Sequence, residues 1–229
     1  MPPTFQKIEP ISKKARIVAS LREAILSGAI KSGEQIVEGK LAQELGVGQG
    51  LIREALIELE HLGFVQRTPY SGTQVTELTL QDAQQIYELR IELEPLAVFL
   101  AGPHVHGEQL AQLKELAERS KIVSKAGDLD AFFETHLEFR KKIWTLSGNR
   151  FLQQILERVV LPLYALYVIR KSYNLEGIIQ TTIDCTEHQD RILAAYEQQN
   201  FEEARETARH FLKKMKEYLG TRLPPASTA

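Results

Sequence analysis

The sequence has one cysteine, Cys185, and one tryptophan, Trp144, among its 229 residues. A single cysteine excludes an internal disulfide framework and a metal site built from several thiolates, so we interpret Cys185 as a packing residue. The chain has no apolar run near the roughly 18–20 residues that a membrane helix needs. Its N-terminus does not show the charged-then-apolar order of a signal peptide. These absences predict a cytoplasmic protein without a membrane segment.

The sequence also lacks an excess of positive charge. It has 28 Lys and Arg residues against 30 Asp and Glu residues, for a net charge of −2. Contact with nucleic acid therefore requires a local surface, because the whole molecule is not basic. The most basic stretch is the N-terminal arm that ends at Arg22, which makes Arg22 a candidate phosphate contact.

Glycines divide the first 76 residues into short elements. Apolar residues at helical spacing predict three helices, which end near Gly28, Gly46 and Gly63. The buried stripes are expected to be Ile17, Leu21, Ala24 and Ile25; Val37, Leu41 and Leu45; and Ile52, Ala55, Leu56, Leu59 and Leu62. Residues 64–67 and 73–76 favour two strands joined by a turn. Three helices and a hairpin, with a short glycine turn between the second and third helices, predict a winged helix-turn-helix over residues 1–76.

Residues 77–220 show helical patterns throughout. Thr79 and Asp82 form a capping-box sequence at the start of the first helix, which contains Pro95. Further helices are expected near residues 107–126, 128–147, 149–173, 176–199 and 201–219. Residues 221–229 are expected to form a disordered tail. The predicted fold is mainly α, with an N-terminal winged helix-turn-helix and a C-terminal all-α bundle of about six helices.

Several spaced segments of the first part carry a family resemblance. They are residues 21–28 (LREAILSG), 41–47 (LAQELGV), 53–56 (REAL) and 59–65 (LEHLGFV), with Pro69, Gly72 and Val75 after them. Over residues 17–76 these segments resemble the GntR family of bacterial transcription regulators. The resemblance implies a homodimer that binds double-stranded DNA at a pseudo-palindromic operator.

The start of the third helix supplies the candidate base contacts. Gln49 and Arg53 lie four residues apart and share a helix face, where Gln can pair with adenine and Arg with guanine in the major groove. Gly50 lies between them, and Ser71 and Gly72 at the wing tip are candidates for minor-groove or backbone contact. For Arg53 the alternative is a surface ion pair with a neighbouring glutamate.

The helix start departs from the family pattern. The family usually has Ser-Arg-Thr-Pro-Val where this chain has Gly48-Gln49-Gly50-Leu51-Ile52. Two glycines cost roughly 1 kcal/mol each if they lie inside a helix. We therefore expect altered sequence preference or weaker DNA binding.

A second resemblance covers about residues 80–215. It is carried by Glu88-Leu89-Arg90 with Leu93-Glu94, Ser147-Gly148-Asn149, Glu187-His188 and His210-Phe211. These segments resemble the FCD ligand-binding domain of the FadR-like GntR subfamily, which implies effector binding and dimerisation by residues 77–220. That domain often holds a divalent metal through one Asp and three His. At those positions this chain has His136, Arg140, His188 and His210.

The residues themselves allow two kinds of effector site. Helical spacing places His136, Arg140 and His188 on interior stripes, whereas His210 lies nearer the edge of its apolar face. Three imidazoles can hold Zn or Ni. Arg140 cannot be a ligand, because it stays protonated and only donates hydrogen bonds. A cation there favours a small carboxylate effector, which a guanidinium binds through two hydrogen bonds.

Arg90 also falls on an interior stripe. A buried arginine is costly unless it is paired. Two partners are open at this point: Glu94, four residues further along the helix, or the carboxylate of an effector. Arg90 therefore joins His136, Arg140, His188 and His210 as a candidate effector-binding residue.

These patterns predict a ligand-responsive transcription repressor that senses a small organic acid, with or without a divalent metal. The alternative is a metal-dependent hydrolase that uses His136, His188 and His210. For that role the chain lacks a suitably placed His-Glu-x-x-His pair, a nucleophile elbow and a Gly-rich phosphate loop. We therefore expect a protein that is not an enzyme.

Overall fold

The computed structural model describes residues 12–26, 29–68, 72–77, 79–170 and 175–222. The chain divides into two compact units, Met1–Glu77 and Leu78–Ala229. The described residues of the first unit form three α-helices and three short strands, and those of the second form six α-helices and one 3-10 turn. The prediction of a winged helix-turn-helix followed by a six-helix bundle is confirmed.

The first unit is a small three-helix domain with a three-stranded sheet. Its elements are α1 (Lys13–Leu26), β1 (Gln35–Ile36), α2 (Glu38–Glu44), α3 (Gln49–His61), β2 (Val65–Thr68) and β3 (Gly72–Val75). The strand order is β1-β3-β2 and both pairings are antiparallel. The β2–β3 hairpin is the wing, and its turn, residues 69–71, lies outside the described residues.

Helix α3 is the centre of this domain. Its residues Ile52, Ala55, Leu56 and Leu59 are fully buried, as the helical spacing predicts. Helix α1 packs against it, and Ile17, Leu21 and Ile25 of α1 are buried too. Burying one large aliphatic side chain contributes about 1.5–3 kcal/mol, so this contact holds α3 firmly by its inner face. The opposite face of α3 is left toward solvent.

One prediction for the first unit is wrong, and one element was missed. The stripe expected for the second helix does not form: Val37 and Leu45 flank α2 as its caps and are 58% and 38% exposed, and α2 instead buries Ala42. The helix is only seven residues long, so positions eight residues apart cannot both lie on it. The strand β1 was not expected, because two residues are too few to show an alternating pattern.

The second unit is a bundle of long helices. Its elements are α4 (Leu80–Ala101), a 3-10 turn (Gly102–His104), α5 (Gly107–Ala126), α6 (Leu129–Leu146), α7 (Arg150–Arg170), α8 (Leu175–Glu197) and α9 (Phe201–Arg222). Helix α4 packs against α6, α7 and α9, and α8 packs against α5 and α9. No helix among the described residues is long and apolar enough to cross a membrane.

The helix boundaries of the bundle follow local chemistry. The predicted capping box is present: the Thr79 hydroxyl accepts from the Asp82 amide at 3.1 Å, and the Asp82 carboxylate accepts from the Thr79 amide at 2.9 Å. Gly127 and Gly148 follow α5 and α6 with φ of 72° and 67°, a conformation that favours glycine. Helix α9 continues to Arg222, two residues into the predicted tail, whose residues 223–229 lie outside the described chain.

Candidate nucleic-acid interface and charged core

The N-terminal end of α3 is open to solvent. Gly46, with φ of 62°, reverses the chain after α2, and Gly48 is the N-cap of α3 with no side-chain hydrogen bond to the helix start. Gln49 and Gly50 form the exposed first turn. Unpaired N–H groups at a helix start attract phosphate. Gly48 lies outside the helix interior, where replacing a Ser cap by Gly costs only a few tenths of a kcal/mol, so the expected penalty of about 1 kcal/mol does not apply to it.

The side chain of Gln49 lies back over α2. A Cβ atom at position 39 would lie 3.1 Å from the Gln49 amide nitrogen, so Gly39 leaves the space that this side chain uses. Gln49 remains exposed on the same face as Gly50 and Arg53. The three residues predicted at the start of the third helix therefore share one exposed surface.

Arg53 makes the ion pair that was the alternative to DNA contact. Its Nε and Nη2 atoms donate to Oε2 of Glu38 at 3.1 and 3.0 Å. Arg67 of the wing approaches Oε1 of the same carboxylate at 3.6 Å. The Arg53 side chain is still 58% exposed, so it can leave Glu38 for a phosphate or a base edge. Arg67 was missed in the sequence, where a single arginine in a strand carries no signal.

The other candidate DNA contacts are Arg22 and two residues of the wing. The Arg22 guanidinium lies 5.6 Å above the ring of Phe64, which holds it against the domain. Gly72 begins β3 with φ of 82° and is exposed. Ser71 lies outside the described residues.

The core of the second unit contains a buried cluster of charges. Glu94 of α4 accepts from Arg90 Nε through Oε1 at 2.5 Å, and its Oε2 accepts from Arg140 Nη1 of α6. The three side chains are only 4–8% exposed. One carboxylate thus bridges two guanidiniums, and Glu94 is the partner of Arg90 rather than an effector.

His136 extends this cluster as a neutral ring. Its Nε2 accepts from Arg140 Nε at 3.1 Å, and the side-chain amide of Gln189 lies 3.2 Å from its Nδ1. Because Nε2 accepts, the proton must be on Nδ1. The Gln189 atom that lies 3.2 Å from Nδ1 is the donor Nε2, so the amide must be turned over for its Oε1, which has no hydrogen-bond partner among the described residues, to accept this proton. Burial and the Arg90 charge lower the pKa of His136 to about 3, which keeps it neutral. Gln189 was missed in the sequence, although a glutamine on a buried helix face is a signal.

His188 lies next to this cluster on α8. Its ring stacks on Phe211 at 4.1 Å between centroids. Burial, and after it the Arg140 charge, hold the pKa of His188 well below its usual value. Burial also raises the pKa of the Cys185 thiol to about 12, which makes it an inert packing residue as predicted.

Two small cavities flank Arg140 and a wide cleft lies outside them. The cavities have volumes of about 20 and 30 Å³, and both are lined by His136 and Arg140. The cleft between α8 and α9 has a volume of about 670 Å³. His188 lines the cleft and the smaller cavity, and Phe211 lines the cleft and the larger cavity. The cleft has the size of a small-molecule site, whereas each cavity holds about one water.

The three histidines do not form the predicted zinc or nickel site. His210 lies on an exposed part of α9, and the acceptor nitrogen of His136 is occupied by Arg140. The described residues contain no group of three His, Cys, Asp or Glu side chains that could hold a metal ion. The donor set therefore does not fit the metal, and the hydrolase alternative loses the cluster on which it depends.

The two units match two known protein families. Residues 13–75 match the model of the bacterial regulatory proteins of the gntR family, and residues 85–214 match the FCD domain. An exposed helix-turn-helix joined to such a domain defines a DNA-binding transcription regulator. The chain belongs to the GntR family, in the subgroup that carries an FCD domain. Regulators of this family bind operator DNA and typically act as dimers.

Individual relatives agree with this assignment. The chain is 33% identical to YdhC, an uncharacterized HTH-type transcriptional regulator of Bacillus subtilis. The match spans 156 residues, which are 68% of this chain and 70% of the relative. It is 28% identical to the HTH-type transcriptional regulator McbR of Escherichia coli, over 69% of the chain and 71% of the relative. The solved structure of E. coli McbR/YncC has the same fold, with a TM-score of 0.72 at 23% identity over 93% of this chain and 99% of that one.

Proposed function

We propose that the protein is a repressor that leaves its operator when a small carboxylate enters the helical domain. The observation that carries this proposal is the buried pair Arg90 and Arg140, which both donate to the carboxylate of Glu94. Arginine binds carboxylates through two parallel hydrogen bonds, and a buried site strengthens them. The core is therefore suited to an organic acid and not to a cation.

The repressor role is supported by relatives. The chain is 32% identical to the gluconate operon transcriptional repressor of Bacillus licheniformis. The match spans 132 residues, which are 58% of this chain and 54% of that protein. We propose that two copies bind together, each placing α3 in the major groove of one half of a pseudo-palindromic operator. Effector binding would act on DNA affinity through a coupling free energy of about 1–3 kcal/mol, or 5–150-fold.

The test is whether the purified protein binds the DNA that lies upstream of its own gene. Fluorescence anisotropy at low salt should show binding, and a panel of small carboxylates should contain one that weakens it 5–150-fold. EDTA should leave that response unchanged, because the proposed site uses no metal. The absence of DNA binding at low salt would refute the proposal.

Replacing Arg140 tests whether the carboxylate acts in the core of the helical domain. Arg140→Met should keep DNA binding and lose the effect of the carboxylate, since the acid then lacks one of its two guanidiniums. The matched control is Arg119→Met, which removes an exposed arginine that pairs with Glu138 at 3.5 Å. Equal responses in the two variants would place the effector elsewhere.

A further inference from the structure

Glu94 lies where an effector carboxylate would be expected. Its two oxygens each face a different guanidinium, Arg90 on its own helix and Arg140 on α6. This is the contact that a carboxylate ligand would make with the same pair. The neighbouring cavities, of about 20 and 30 Å³, leave room for water but not for an organic acid.

We infer that Glu94 is a built-in competitor, a carboxylate of the chain itself that occupies the anion site until an effector carboxylate displaces it. This inference rests on the proposed carboxylate-sensing function and adds how the site is kept closed. The rest of the cluster would keep its form during the exchange, because His136 accepts from Arg140 Nε whereas Glu94 accepts from Nη1, and Gln189 contacts His136 in turn.

Glu94 lies on α4, the helix that follows the DNA-binding unit in the chain. Pro95 follows Glu94 directly inside α4. Proline has no N–H group, so the helix loses one hydrogen bond of its ladder at this turn and bends there at lower cost. Helix α4 begins at Leu80, shortly after β3 ends at Val75. We therefore expect a side chain that leaves the core here to bend α4 at this turn.

Chemical rescue tests the inference. Glu94→Ala removes a CH₂ group and the carboxylate, and acetate is the free form of that fragment. Sodium acetate at millimolar concentration should raise the melting temperature of Glu94→Ala by several degrees more than that of the wild type, with sodium chloride at equal ionic strength as the reference. The matched control is Glu88→Ala, which removes an exposed glutamate of α4 that pairs with Lys216 at 2.9 Å and should show no rescue by acetate.

A second variant covers the case in which Glu94→Ala does not fold. Glu94→Gln keeps the shape of the side chain and removes its charge. Trp144, the single tryptophan of the chain, lines the smaller cavity beside Glu94, so its fluorescence reports binding there. Acetate should change this fluorescence at a concentration at least tenfold lower in Glu94→Gln than in the wild type.

The outcomes separate this inference from the proposed function. Acetate affinity that is equal or weaker in Glu94→Gln, with no rescue of Glu94→Ala, overturns the role of Glu94 even if the wild type still releases DNA on binding a carboxylate. Tighter acetate binding by the variants supports the role of Glu94 in either case. If the variants bound acetate more tightly but no carboxylate of the panel made the wild-type protein release DNA, the proposed sensing would fail and the role of Glu94 would stand.

Discussion

At the residue scale, Glu38 controls the charge of the candidate DNA face. Its carboxylate lies 3.0 Å from Arg53 and 3.6 Å from Arg67, so one acidic side chain neutralises part of the charge of both arginines. A carboxylate on this face also repels phosphate directly. The cost of opening these pairs is small, since exposed ion pairs contribute about 0–1 kcal/mol.

Replacing Glu38 by glutamine should therefore strengthen DNA binding. We expect Glu38→Gln to raise affinity several-fold at low salt and to steepen the slope of log affinity against log salt by roughly 0.9 for one further neutralised phosphate. Anisotropy titrations at several salt concentrations measure both. Glu44→Gln is the control, because it removes the same charge from α2 but its carboxylate pairs with Lys40 at 3.8 Å. A weaker Glu38→Gln complex would show instead that Glu38 holds Arg53 in place for DNA.

The burial of individual residues could be predicted from the sequence, but their contacts could not. The helical stripes correctly placed Arg90, His136, Arg140 and His188 inside the bundle. They could not show that Arg140 would bond to Glu94, because this contact joins α6 to α4, two helices far apart in the sequence. His210 was predicted to be a weaker case, and it is exposed.

Among the elements, all three helices of the first unit were predicted, whereas the strand β1 and the buried face of α2 were not. The breaks at Gly127 and Gly148 are visible in the sequence because glycine adopts positive φ at low cost, and each break ends a helix. The strand β1 has two residues, too few for a periodic pattern, and helix α2 was predicted but has only seven residues, too few for the stripe expected on it. Their positions are decided by pairing with β3 and packing on α3, which are tertiary contacts.

The first turn of α3 should be open to stabilisation. A Cβ atom at Gly50 would meet nothing within 4 Å, and Gly50 does not have a positive φ. Gly50→Ala should therefore raise the free energy of unfolding by about 0.5–1 kcal/mol, because alanine loses less backbone entropy in a helix. Urea denaturation of the full-length protein measures this difference.

Gly102→Ala is the opposite case and serves as the control. A Cβ atom at Gly102 would overlap the ring of Phe201 at the start of α9, so the variant should lose about 1–3 kcal/mol by overpacking. If Gly50→Ala destabilised the protein as much as Gly102→Ala does, the first turn of α3 would not be the open helix start described above.

For the whole molecule, the proposed dimer would make the spacing of the two α3 helices depend on how the bundles pair. The described part of the second unit contains nearly four times the length of α-helix of the first, and family members typically act as dimers. If two bundles pair, the two α3 helices are held at a fixed separation and can read only half-sites at one spacing. A dimer in which the winged units moved freely would tolerate many spacings.

Changing the operator spacing distinguishes these cases. Once footprinting has located the two half-sites, inserting 5 base pairs between them should lower affinity at least tenfold, because half a helical turn places them on opposite faces of the duplex. Insertion of 10 base pairs restores the face and should recover more of the affinity than 5 does, since B-DNA repeats every 10–10.5 base pairs. DNA with a single half-site gives the reference affinity for one bound winged unit. Equal affinity for all spacings would mean that the bundles do not fix the heads, and an effector could then not act by changing their separation.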